Sequence, residues 1–163
     1  MPKLKKIIIL GLDPGLADTG YGLMAVENNQ LQVLAYGSIK TSKKLPLAER
    51  LEQLEKELEK IIRVYRPNFM GIEQLFFSSN AKTAFLVGQA RGVVLLTAAK
   101  HKLAIKEFSP PQVKQGVTGY GQADKKQVQK MVQIILKLKS LPQPDDAADA
   151  LAIAICAANT NLR

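Results

Sequence analysis

Lys6 to Gly22 reads KIIILGLDPGLADTGYG. The aliphatics Ile7, Ile8, Ile9, Leu10 and Leu12 leave no polar position among them, which predicts a strand over Lys6–Asp13 buried on both faces. Asp13 closes that strand. A carboxylate in such a place costs desolvation unless it is paired or bound to a metal. Pro14-Gly15 turns the chain, and a second strand over Thr19–Val26 is kept slim by Gly20 and Gly22. Asn28-Asn29 is a turn signal before a third strand, Leu31–Lys40, so the chain opens as an antiparallel meander.

Pro46–Tyr65 has Leu47, Leu51, Leu54, Leu58, Ile61 and Ile62 at the three-and-four spacing of one apolar helix face, and Pro67 ends it. Asn68–Glu73 is a short fourth strand. Asn80–Lys100 is a second helix, apolar and rich in small residues. Its Ala84, Gly88 and Gly92 recur every four residues and would admit another helix closely, inside the fold or across an oligomer seam. Ile105–Phe108 is a fifth strand, closed by Pro110-Pro111. Gln112–Val117 forms a short helical turn, and the loop Thr118–Gln122 precedes a third long helix, Asp124–Lys139. After a break at Leu141–Pro144 comes the last helix, Asp145–Asn159. A meander, then helix–strand twice, then helices, predicts an α/β fold. It is a five-stranded mixed sheet with helices on both faces, in a single domain over residues 1–163.

The chain carries 23 Lys and Arg against 14 Asp and Glu, a net charge of +9. Arg91 to Lys139 alone holds ten basic residues against Glu107 and Asp124, a net +8. So concentrated a charge suits a polyanion, nucleic acid or an acidic membrane surface, although a basic surface also serves solubility. Apolar runs such as Ile7–Leu10 and Gly92–Leu96 are too short to cross a bilayer, and the basic Met1–Lys6 with the run after it does not fit a secretory signal. The expected location is the cytoplasm. Cys156 stands alone in an Ala-rich helix, which suits a buried apolar residue in a reducing compartment. His101, the one histidine, lies between Lys100 and Lys102 at a helix end and is expected to be a solvated surface residue.

Of the 14 acids, five lie on Glu49–Glu59 interleaved with lysine, a solvated helix face on which Glu52 and Lys56 form a four-apart pair. Four others are placed differently. Asp13 and Glu73 each end a strand, and they meet at one sheet edge if the first and fourth strands are neighbours. Asp146 and Asp149 lie three apart on one face of the last helix. Acid in a first turn complements the helix dipole, which explains Asp145 and partly Asp146. It does not explain Asp149, deeper among alanines. Four converging carboxylates repel by about 4 kcal/mol per pair at 4 Å and an effective dielectric near 20. Protons or divalent cations must relieve that repulsion. With one Cys and one His in the chain, the donors are oxygen alone, which selects hard ions, Mg²⁺ or Mn²⁺. One or two such ions beside a basic face point to metal-assisted phosphodiester hydrolysis in nucleic acid.

GLDPGLADTGYG at 11–22, IEQLFF at 72–77, GQARGV at 88–93, VKQGVTGYGQADKKQVQ at 113–129 and DAADALAIAI at 146–155 occur in order over nearly the whole chain. Each motif is weak alone, and the five together are specific: the chain resembles the RuvC family of bacterial Holliday junction resolvases. The resemblance implies an RNase H-like fold, a homodimer, and a Mg²⁺-dependent endonuclease that nicks two opposed strands of four-way junction DNA during recombination and repair. It also implies a branch-migration motor of the RuvA and RuvB type as partner. It assigns the four metal-holding carboxylates to Asp13, Glu73, Asp146 and Asp149, with Asp145 an extra acid beside the matched position. It places Lys114 and Lys125 near the scissile phosphate and Phe76 on an unpaired base. Lys126, Lys130 and Arg91 are candidate contacts to the DNA backbone.

Three other readings compete. One is a nuclease or strand transferase on the same fold with a different nucleic-acid substrate. A second is an ATPase of the sugar-kinase type, whose first strand also ends in Asp-x-Gly but which needs two domains around its nucleotide. A third is a junction-binding module without catalysis.

Overall fold

A computed structural model describes residues 6–75 and 80–161. Three antiparallel strands open it: β1 (Ile7–Asp13), β2 (Asp18–Glu27) and β3 (Gln30–Lys40). The β2–β3 turn is made by Asn28 and Asn29, both left-handed at φ 52 and 60, the conformation that a two-residue hairpin requires. Helix α1 (Leu47–Tyr65) leads to β4 (Phe69–Glu73), which lies parallel to β1; helix α2 (Ala81–Lys100) leads to β5 (Ala104–Phe108), parallel to β4. Helices α3 (Pro110–Thr118), α4 (Lys125–Ile135) and α5 (Asp145–Asn161) complete the chain. The sheet order is β3-β2-β1-β4-β5, which sets β1 in the centre with β4 beside it.

The sheet separates two cores. On one face Leu10, Leu12, Leu23, Met70 and Ile72 meet Leu54, Leu58 and Ile62 of α1 and Ala90 and Val94 of α2. On the other face Ile9, Met24 and Phe69 meet α5, which α3 and α4 cover through Val113, Val117, Val128 and Val132. Burial on both sides explains the unbroken aliphatic run of β1, and each fully buried Leu or Ile contributes about 1.5–3 kcal/mol. Helix α5 is apolar nearly all round because it is enclosed: Ala147, Ala148 and every residue from Ala150 to Ala158 are buried.

Three elements depart from expectation. Pro110 and Pro111 begin α3 rather than merely closing β5: Ser109 caps the helix in a reciprocal pair with Gln112, and proline is at home in a first turn. Helix α4 stops at Ile135, four residues early. Lys137 turns left-handed at φ 52, and Leu138 N–H reaches back to the Gln133 carbonyl at 3.0 Å, a Schellman closure made without glycine. His101 is half-buried and paired rather than freely solvated. At the end of α2 its Nε2 lies 3.1 Å from Glu59 Oε1, with the imidazole 21% exposed. Cys156 is buried, which pushes its thiol up to about 11 and leaves it inert. Among the described residues, no helix is long and apolar enough to cross a membrane.

Candidate active site

Strands β1 and β4 pair in register, Leu12 opposite Ile72, so Asp13 and Glu73 end side by side at the carboxyl edge of the sheet. Alternation turns Gly11 and Asp13, and Gly71 and Glu73, toward the face that α5 covers. On β2, Gly22 stands opposite Gly11 and Gly20 opposite Asp13. Here glycine is required by close approach. A Cβ on Gly11 would fall 2.1 Å from the Ala150 carbonyl oxygen, and one on Gly20 would fall 1.9 Å from that of Asp146. The helix backbone lies directly on these strands, and that seating carries Asp146 and Asp149 to Asp13.

Carboxylate oxygens of Asp13, Asp146 and Asp149 all lie within 4.8 Å of one another. Glu73 stands beside this group. With Asp13 and Asp149 it lines a cleft of about 280 Å³ whose other polar walls are Lys114 of α3 and Lys125 of α4. Asp145 does not join them. It is 57% exposed and is held by Lys125 Nζ at 3.4 Å and by Gln129 Nε2, which donates to it at 3.2 Å. Geometry thus separates two acids that adjoin in sequence.

The group is electrostatically strained. Burial, then the carboxylates of Asp149, Asp146 and Glu73, push the Asp13 pKa up to about 7, with Lys125 opposing. Burial and Asp149 raise Glu73, against Lys114. Burial raises Asp149 despite Lys125 nearby, and burial with the charge of Asp18 raises Asp146. Lys125 Nζ lies 3.4 Å from Asp149; partial burial works against its charge, but Asp149 and Asp145 hold its pKa above the usual lysine value. Oxygen donors gathered closely and reluctant to ionise together form a set that a hard divalent cation fits.

The remaining expected residues lie elsewhere. Lys126 and Lys130 are exposed on α4 and line a different hollow, with Tyr120 and Met131. Arg91 is turned inward, 12% exposed, and bonds the Glu73 carbonyl and the Glu107 carboxylate. Its guanidinium thus faces the protein, where an outward contact to the DNA backbone was expected. Phe76 falls outside the described residues. Asp18, which Ser38 Oγ bonds at 3.1 Å, was not singled out by sequence reasoning. Its only signal is being an acid soon after Asp13, at the start of β2, and its bearing on Asp146 needs the folded hairpin.

Residues 9–157 match the family "Crossover junction endodeoxyribonuclease RuvC". The chain is 54% identical over 154 residues to the protein of that name from Alkaliphilus oremlandii, covering 94% of each chain. It superposes on Thermus thermophilus RuvC, in a structure described as a complex with Holliday junction substrate, with TM-score 0.90 and 35% identity over 95% of this chain and 94% of that one. The fold alone is shared with the yeast mitochondrial Holliday junction resolvase, at TM-score 0.65 and 12% identity over 95% of this chain and 80% of that one. The mixed sheet with helices on both faces is thus RNase H-like, and the chain belongs to the RuvC family of crossover junction endodeoxyribonucleases.

Proposed function

We propose that this endodeoxyribonuclease resolves four-way DNA junctions by paired, symmetric nicks that leave 5′-phosphate and 3′-hydroxyl ends. The observation that carries this reading is the gathering of Asp13, Asp146 and Asp149 within 4.8 Å of one another, in a chain of net charge +9. Asp13, Glu73, Asp146 and Asp149 would hold one or two Mg²⁺ ions, with Mn²⁺ able to substitute. A divalent cation bound there supplies Lewis acidity toward the phosphodiester and lowers the pKa of a water. The protein supplies position and charge. Lys114 and Lys125 flank the acids and seat the scissile phosphate, offsetting negative charge that grows in the transition state. Water adds to phosphorus as the bond to the 3′ oxygen breaks, and the leaving oxygen takes up a proton.

Lys126 and Lys130 would extend the contact along the backbone, and Phe76 would stack on an unpaired base, as the resemblance implies. Two opposed nicks need two like sites about a two-fold axis, hence a homodimer. The face of α2 that carries Phe85, 68% exposed, and Leu96, 57% exposed, is its candidate seam. The partners would be junction DNA and a motor of the RuvA and RuvB type, and the setting would be DNA recombination and repair in the cytoplasm.

The test is an immobile synthetic four-way junction incubated with the protein in Mg²⁺ or EDTA and resolved on a denaturing gel. Symmetric nicks in opposed strands, present only with Mg²⁺, are expected. Equal cutting of linear duplex, or cutting in EDTA, would overturn the reading.

A further inference from the structure

Glu73 is the last residue of β4, opposite Phe108 at the end of the β4–β5 ladder. Its neighbour Gln74 still donates from N–H to the Phe108 carbonyl at 2.7 Å, but the Glu73 carbonyl receives its bond from α2, through Arg91. The second arm of that guanidinium bonds Glu107 Oε2 of β5 at 2.7 Å. In the sheet register Glu107 stands opposite Ile72, one residue before Glu73. One planar side chain, 12% exposed, therefore ties the end of β4 to β5 and to α2.

We propose that Arg91 is a positioning residue for Glu73: by clamping the Glu73 main chain it sets where that carboxylate enters the acidic cleft. The proposal rests on the metal-holding role given to Glu73 above. Two properties make arginine apt. Its donors are fixed in one plane and can serve two acceptors at once, whereas a lysine ammonium is a point on a flexible stem. Its charge is already balanced by Glu107, so it can lie close to the cleft without competing for the Asp13 group. Without the clamp, the terminal carbonyl of β4 loses its partner and the strand end gains freedom. Displacement of a reacting group by about 1 Å costs on the order of a hundredfold in rate.

The experiment uses the full chain with Arg91→Lys, Glu107→Ala and Glu73→Gln. Three readouts are taken: Mg²⁺ binding by titration calorimetry, junction affinity in EDTA, and single-turnover cleavage across Mg²⁺ concentrations. Arg91→Lys is expected to weaken Mg²⁺ binding about tenfold and slow cleavage roughly 10–100-fold, with junction affinity within about twofold of the parent. Glu107→Ala removes only the acceptor of the second arm and is expected to shift both in the same direction by a few-fold, which keeps the proposal testable if Arg91→Lys fails to fold. Arg91→Lys added to Glu73→Gln should weaken Mg²⁺ binding no further, since both act through one carboxylate. Parental Mg²⁺ binding and cleavage in folded Arg91→Lys would overturn the proposal. So would weaker junction binding with unchanged Mg²⁺ binding, which would make Arg91 a DNA contact. Full cleavage by Glu73→Gln would instead remove the reading on which the proposal stands.

Discussion

Asp13 carries an unusual electrostatic load, because burial and three neighbouring carboxylates lift its pKa from an ordinary 3.8 to about 7. Between about pH 4 and 7 the folded protein holds a proton that the unfolded chain has released, so metal-free stability falls as pH rises through that window and is lowest above it. Thermal melts in EDTA should therefore shift downward from pH 5 to pH 8, by an amount on the order of a few kcal/mol, and saturating Mg²⁺ should recover the loss. Asp13→Asn should flatten that profile and lower cleavage at least about a thousandfold while junction binding persists, because it removes a cation ligand and no DNA contact. A flat profile in the parent protein would contradict the assigned strain. Lys125 lies against Asp149 at 3.4 Å and faces the cleft. Lys125→Ala should weaken junction binding and reduce the slope of log affinity against log salt by about one; an unaltered slope with normal turnover would make it a surface residue.

The element that assembles the site is α5, and glycine on the sheet is what lets it do so. Gly11, Gly20 and Gly22 form a flat floor on β1 and β2, and the backbone of Ala150, Asp146 and Leu151 rests on it. Gly20→Ala would place a methyl 1.9 Å from the Asp146 carbonyl oxygen, so the first turn of α5 must lift. We expect a loss of about 3 kcal/mol or more in urea denaturation, together with loss of cleavage, since Asp146 moves with the helix. Near-parental stability would mean that the helix seat is softer than the contact implies. The strand-end acids were legible because a carboxylate after an aliphatic run is conspicuous in any sequence. The end of α4 was not, because its closure uses Lys137 in a conformation ordinarily signalled by glycine.

At the scale of the molecule, the two cores divide the labour. One face of the sheet builds the acidic cleft with α3, α4 and α5, and the other is covered by α1 and α2. Helix α2 links the two, because Arg91 reaches the end of β4 while Phe85 and Leu96 lie exposed. If that exposed face is the dimer seam, Phe85→Glu should shift the protein to monomer in sedimentation, as a charge replaces a large apolar contact. It should also convert paired junction nicks into single ones. A dimer that survives the substitution would place the seam elsewhere.

Sequence alone determined the strands and helices, the carboxylates at two strand ends and the concentration of positive charge, since each is written in local spacing and residue type. Tertiary structure decided which neighbour takes part. Consecutive helix residues point about 100° apart, so seating α5 on the glycine floor turns Asp146 toward Asp13 and leaves Asp145 outside. The same cause separates Lys125, in the cleft, from Lys126, outside it, and turned a basic residue marked for DNA, Arg91, toward the end of β4. Orientation about a helix axis is set by what the helix packs against, and that information lies in no single stretch of the chain.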